Sequence, residues 1–210
     1  MPIDHSMNFL AHLYLSGESA DIQIGNFIGD YVKGSHYLHY RESVKEGILL
    51  HRAIDHYTDN SPWVSLSKTY FKPVYGRYSG IVCDLLYDHF LAQEWTSYSI
   101  HSLRDFTARI HKTLMRNYLV LPIRVQQFIP FLIRNKRLES YATAEGLHKA
   151  MEIMAKYTSL PPFQDEAMQI VSKHRPEIVE HFRQFMKEVV HFVEQEKGIR
   201  IYKPDNAHLL

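Results

Sequence analysis

Ile81-Val82-Cys83-Asp84-Leu85-Leu86-Tyr87-Asp88-His89-Phe90-Leu91-Ala92 carries the pattern from which the fold class follows. Nine of its twelve residues are apolar or aromatic, and at helical spacing they cover every face rather than one stripe. A helix that is apolar all round belongs in a core. Asp84 and Asp88 break the pattern: four residues apart, they project from the same face, with His89 beside them. Two like-charged carboxylates are costly to bury unless a cation or strong donors meet them. The face therefore reaches solvent, meets an arginine from elsewhere, or belongs to a metal or phosphate-handling site. Repetition of the pattern across the N-terminal half favours the last.

Helical periodicity runs outward from this stretch in both directions, and no run of alternating strand pattern is convincing. The nine glycines and nine prolines fall mostly between periodic segments, and there is no internal repeat, low-complexity tract or interdomain linker. The pattern predicts an all-α protein, a single-domain multi-helix bundle, and 210 residues suffice for a substantial core. A formal net charge of +1 gives no overall field of the kind that marks a nucleic-acid binder. The lone Cys83 excludes an internal disulfide and fits a reducing compartment. Residues 1–6 lack the basic start and apolar run of a secretory signal, and no run approaches the roughly 18–20 apolar residues of a membrane span. A cytoplasmic location, with no membrane or nucleic-acid partner, is the expectation. Fourteen histidines add weight to metal chemistry without locating it.

The N-terminal half reads as a series of helices over about 6–15, 21–33, 40–57 and 62–75, ahead of the opening stretch. Asp21 is a plausible N-cap of the second and Gly34 its stop, while Gly25 and Gly29 would let another backbone approach closely. Ser61 followed by Pro62 is a strong start signal for the fourth. Each of four helices offers one polar pair at four-residue spacing in apolar surroundings: Asn8/His12, Asn26/Asp30, His51/Asp55 and Asp84/Asp88. One such pair means little. Four, all of ligand or ligand-orienting types, suggest inward-pointing residues meeting in a bundle. Imidazole with carboxylate suits Mn, Fe, Zn or a mixed site better than pure Mg or Ca.

The C-terminal half reads as scaffold, with helices near 99–117, 122–136, 143–157 and 162–196, the last broken around His174-Arg175-Pro176. His181 and His191 read as packing or surface residues. Between His101 and Lys149 nine Lys/Arg, among them Arg134, Lys136 and Arg137, stand against three acidic residues. Such a run is either a solvated helix face or a docking surface for an acidic partner. Beyond Gly198 a short, poorly ordered polar tail is expected.

The segments Met7-Asn8-Phe9-Leu10-Ala11-His12-Leu13, Gly25-Asn26-Phe27-Ile28-Gly29-Asp30-Tyr31-Val32-Lys33-Gly34, Gly47 to Asp59 and Tyr87-Asp88-His89-Phe90-Leu91 resemble, in order, the signature blocks of the acyl carrier protein phosphodiesterase family. The resemblance covers roughly the first 95 residues. It implies hydrolysis of the phosphodiester that joins 4′-phosphopantetheine to a serine of holo-acyl carrier protein, giving apo-carrier and free phosphopantetheine. It further implies kinship with the helical HD-type metal phosphohydrolases and a divalent cation, typically Mn2+. Two departures stand out: Arg52-Ala53 where a double arginine is frequent, and Tyr87 where tryptophan is common.

Carried over by position, the resemblance implies Asp30, His51, Asp55 and Asp88 as metal ligands. His12, His89, Asp84 and Arg52 become candidates for proton transfer and phosphate contact, and Asn8, Asn26, Lys33 and Asp59 for substrate binding. Arg134, Lys136 and Arg137 would help receive the acidic carrier protein. Two other readings remain open: an HD-like phosphohydrolase acting on a nucleotide or another small phosphodiester, and a non-catalytic helical binding module.

Overall fold

The computed structural model describes residues 9–204, and among these there is no strand. The helices are α1 (Phe9–Tyr14), α2 (Ala20–Ile28), α3 (Glu42–Asn60), α4 (Pro62–Tyr75), α5 (Ser79–Gln93), α6 (Trp95–Tyr98), α7 (Leu103–Arg116), α8 (Ile123–Arg134), α9 (Arg137–Ser140), α10 (Ala144–Tyr157) and α11 (Gln164–Glu196). The all-α expectation holds. None of the described helices is long and apolar enough to cross a membrane.

α5 contains the apolar 81–92 stretch, and it is the central helix. It packs against α1, α4, α10 and α11. Its apolar residues are buried on all sides, as a helix without a polar face requires. Tyr87 and Phe90 set their rings against Phe182 and Phe185 of α11, with centroids 5.4–5.7 Å apart. One core cluster runs from Phe9 through to Ile201.

The tightest helix pair is α2 with α3, and glycine is the reason. A Cβ on Gly25 would lie 2.8 Å from the Gly47 Cα and inside contact distance of the Val44 carbonyl oxygen. A Cβ on Gly47 would likewise overlap the Ile22 carbonyl. Only with both side chains absent can the backbones touch. This close approach sets Asn26 of α2 beside His51 of α3.

Several boundaries differ from the sequence reading, each for a local reason. Ser19 caps α2, its hydroxyl accepting from the Ile22 N–H at 3.5 Å, whereas Asp21 lies in the first turn and bonds Ser43 and Arg41. α2 ends at Ile28 rather than Lys33. At Gly29–Tyr31 the chain tightens into a 3-10 turn, and at Gly29 the His51 ring of α3 occupies the space where another residue's Cβ would sit. The Ser61 cap and Pro62 start of α4 are as expected, and Ser102 and Thr143 cap α7 and α10. α11 kinks at His174, two residues before Pro176, where the sequence predicts the break. Residues 199–203 are not a loose tail. Ile201 is buried, Tyr202 accepts from the Ile100 N–H at 3.4 Å, and Lys203 pairs with Glu194 at 2.6 Å.

Candidate metal centre

His12 of α1 and His51 of α3 stack face to face, their ring centroids 4.2 Å apart and their planes 26° from parallel. Two cations would not choose this arrangement; something must fix the rings. Asn26, wholly buried on α2, does so. Its Oδ1 lies 2.8 Å from His12 Nδ1 and 3.1 Å from His51 Nδ1. Its Nδ2 donates to the His12 carbonyl and to Ser16 Oγ, both at 2.9 Å, and Ser16 Oγ donates to the same carbonyl at 2.7 Å. These acceptors fix which end of the amide is oxygen. Asn26 Oδ1 therefore accepts from both Nδ1–H groups, and each Nε2 is turned to the other side as a ligand atom.

On that side the carboxylates wait. Asp55 Oδ1 is 3.3 Å from His12 Nε2, Asp55 Oδ2 is 3.3 Å from His51 Nε2, and Asp30 Oδ1 is 3.4 Å from His51 Nε2. One ligand atom from each of His12, His51 and Asp55 lies within 4.8 Å of the others. His51 Nε2 is buried without a hydrogen-bond partner. A buried imidazole nitrogen that faces carboxylates yet bonds none of them fits a divalent cation, and the mix of nitrogen and oxygen donors suits a transition ion. Without one, a proton takes its place. Burial alone would lower the His51 pKa, but the Asp30 and Asp55 carboxylates overcome it and raise the group to about 9. Burial pushes the Asp55 carboxyl up, but the attraction of its two histidines overcomes it and holds the group well below the usual carboxylate range.

Asp84 joins this electrostatic neighbourhood from α5. Burial, together with the charges of Asp55, Asp59 and Asp30, pushes its carboxyl up to about 7 against the pull of Lys68. Lys68 of α4 also pairs with exposed Asp59 at 3.6 Å.

Other residues singled out from the sequence lie elsewhere. Asp88, one turn beyond Asp84, is wholly buried and accepts the Leu10 N–H at 2.9 Å and the Ala11 N–H at 2.8 Å. It caps the first turn of α1, the helix that carries His12. Each of its oxygens accepts one backbone N–H, so it positions the start of α1. Burial pushes its carboxyl up to about 8, with those two N–H groups pulling the opposite way. His89 is turned towards the C-terminal half, its Nδ1 2.7 Å from the Tyr141 carbonyl oxygen, and burial lowers its pKa. Arg52 clamps the loop after α2: Nη2 donates to the Val32 and Gly34 carbonyls at 2.8 and 2.9 Å, and the guanidinium lies 5.1 Å from the Tyr37 ring centre.

Asn26 is too buried for the substrate contact expected of it; it orients the two histidines instead. Lys33 and Asp59 are exposed, and Asn8 lies outside the described residues. Arg134 and Lys136 are exposed, but Arg137 is 5% exposed beneath the Tyr141 ring, so it offers nothing to a docking partner.

Ser16 and Lys68 escaped the sequence reading. Ser16 was visible as the residue four after His12 on the same helical face, yet it reads more simply as a helix end. Lys68 has no local signal, since its proximity to Asp84 is created by the packing of α4 on α5.

Fold and centre together define a class, an all-α protein with a buried His/His/Asp group able to hold a divalent metal. The particular family follows from comparison with known proteins. A family model described as acyl carrier protein phosphodiesterase matches residues 7–189, and the chain belongs to that family. It is similar to the acyl carrier protein phosphodiesterase of Yersinia pestis, at 34% identity over 150 residues that cover 71% of this chain and 78% of the relative. Proteins of the same description from Serratia proteamaculans and Salmonella dublin are 34% and 35% identical over the same shares. No solved structure matches the chain.

Proposed function

We propose that this chain hydrolyses the phosphodiester between 4′-phosphopantetheine and the carrier serine of holo-acyl carrier protein, releasing apo-carrier and phosphopantetheine. The observation that carries the reading is the convergence of His12, His51 and Asp55 donor atoms within 4.8 Å, both rings oriented by Asn26, in a member of this family. His12, His51, Asp55 and Asp30 would hold the ion, with Mn2+ the candidate that the nitrogen and oxygen donors fit. When bound, a divalent ion acidifies a water and offsets charge on the phosphoryl oxygens.

The chain's own residues supply the rest. Attack of water on phosphorus and departure of the serine oxygen require one proton to leave the water and one to reach the serine. Asp84, with a carboxyl held near neutrality by burial and neighbouring carboxylates, is suited to exchange a proton there. Lys68, rather than Arg52, is the cation beside these carboxylates and would meet a non-bridging phosphoryl oxygen. Asp88 fixes the start of α1 and so the place of His12. The layout, a His-x-x-x-Asp pair on α3 joined by a histidine from another helix, supports kinship with the HD-type phosphohydrolases. The first 95 residues then form the catalytic half and the remainder the support, in a cytoplasmic enzyme.

The test is incubation with holo-acyl carrier protein and Mn2+, read by intact mass. Loss of the phosphopantetheine mass, abolished by chelator, is the expected result. An intact holo-carrier alongside cleavage of a generic phosphodiester would overturn the assignment in favour of a small-molecule phosphohydrolase. A protein without affinity for metal would leave only a binding module.

A further inference from the structure

The turn between α7 and α8 carries an apolar cluster that the fold does not use. Leu119 is 86% exposed, Val120 66% and Ile123 72%, within five consecutive residues. Isolated exposed apolar residues are ordinary, but a run of large ones at a tight turn marks an interaction site. The 3-10 turn Tyr118–Val120 is held from beneath: Tyr118 Oη donates to the Gln126 carbonyl at 3.1 Å, and Gln126 Nε2 donates to the Leu121 carbonyl at 2.8 Å. The cluster is therefore presented by a braced scaffold.

Cations flank it on both sides. Lys112 and Arg116, one helical turn apart on α7, precede the turn, and Arg124 follows it; all three are exposed. Arg109 and Lys149 of the same basic segment are paired with Glu18 and Glu152. Among the described residues, Lys112, Arg116 and Arg124 form no ion pair. An apolar centre with a basic rim fits a partner with an apolar ridge flanked by acidic side chains.

The same turn is tied to the helix that leads to the centre. The bond to be cut joins phosphorus directly to a serine of the carrier, so the body of the carrier must approach the metal centre closely. Arg41 joins α7 to α2, its guanidinium pairing with Asp21 and reaching Asn117 Oδ1 at 3.5 Å. From Asp21, α2 and its 3-10 extension reach Asp30 over nine residues, about 14 Å at the helical rise.

We propose that Leu119, Val120 and Ile123, with Lys112, Arg116 and Arg124, form the surface that docks the acyl carrier protein. This rests on the hydrolase reading above and moves the docking surface from Arg134–Arg137 to the α7–α8 turn.

Three full-length proteins test it: the wild type, Arg116→Glu/Arg124→Glu and Leu119→Ser/Ile123→Ser, with circular dichroism to verify the fold. Fluorescence anisotropy with labelled apo-carrier reads docking without turnover, and bis(4-nitrophenyl) phosphate with Mn2+ reads the centre without docking. The expected result is a loss of carrier affinity of about tenfold or more in each variant. KM for holo-carrier rises in parallel, and turnover of the small diester is unchanged. Wild-type affinity for apo-carrier in either variant would overturn the proposal while leaving the hydrolase reading in place. Patch-dependent binding of a carrier that is never cut would do the reverse. A wild type with no affinity for carrier would sink both. Loss of phosphatidylglycerol vesicle binding in the serine variant, with carrier binding retained, would assign the cluster to a membrane surface and overturn the proposal too.

Discussion

Asn26 Oδ1 stands 3.1 Å from His51 Nδ1 and thereby decides which nitrogen of His51 faces the carboxylates. The same oxygen does this for His12, so one buried amide sets the orientation of both imidazoles. Replacing Asn26 by Ala removes the acceptor while leaving all candidate ligands in place. Mn2+ affinity, measured by titration calorimetry, is expected to fall about 10–100-fold, the usual cost of losing a partner behind a metal-bound histidine. Unchanged affinity would mean that the rings are held by packing alone.

Asp88 and Asp55 are expected to behave in opposite ways. Asp88→Ala leaves the Leu10 and Ala11 N–H groups without acceptors in a buried place, a loss of roughly 2–4 kcal/mol in denaturant unfolding. Asp55→Ala removes a half-exposed carboxylate paired with His12 and His51, so it should cost less stability than Asp88→Ala, yet abolish metal retention by elemental analysis. An Asp88 variant that is fully stable and metal-free would restore Asp88 as a ligand.

Metal binding should consume hydroxide. His51, raised to about 9, must lose its proton before its Nε2 can bind a cation. Apparent Mn2+ affinity is therefore expected to rise about tenfold per pH unit up to about pH 9 and then flatten, as for one displaced proton. Calorimetry in buffers of different ionisation enthalpy should show that proton released. The metal-free protein has the opposite dependence at this residue. A folded pKa above the ordinary 6.5 gives stability that is full below pH 6.5 and is lost as pH rises towards 9. Asp55, depressed in the fold, contributes above its ordinary 3.8 and loses that contribution as pH falls. A flat affinity profile from pH 6.5 to 9 would contradict the proton-for-metal exchange.

Two glycine substitutions separate the frame from the site. Gly25→Ala forces α2 and α3 apart and should destabilise by about 1–3 kcal/mol or more, as overpacking does. Gly29→Ala drives a methyl into the His51 ring at the end of α2, where the chain can yield. Its expected signature is metal loss exceeding tenfold with a smaller change in melting temperature. Equal stability loss in both variants would argue that Gly29, too, is part of the frame.

Much of this was legible in the chain itself. An all-round apolar helix at 81–92 could only be central, and caps such as Ser61-Pro62 mark helix starts through local hydrogen bonding that needs no tertiary context. Three of the four polar pairs were informative for the same reason: residues four apart share a face, so a polar pair in apolar surroundings must meet something inside. The fourth, Asn8/His12, is described only at His12, which does meet the cluster. What periodicity cannot encode is which partner each face meets. Asp84 and Asp88 are equivalent by spacing, and only the packing of α1 across α5 gives Asp88 two backbone N–H groups and leaves Asp84 among the carboxylates. Arg52 and Lys68 are likewise placed only by long-range contacts, Arg52 on the Val32 and Gly34 carbonyls and Lys68 beside Asp59. Helical character, strong starts such as Ser61-Pro62 and the residue types available for chemistry were readable from the chain, because these are set by short-range geometry. Which side chains meet one another followed only from the packing, because long-range contacts assign each buried polar group its partner.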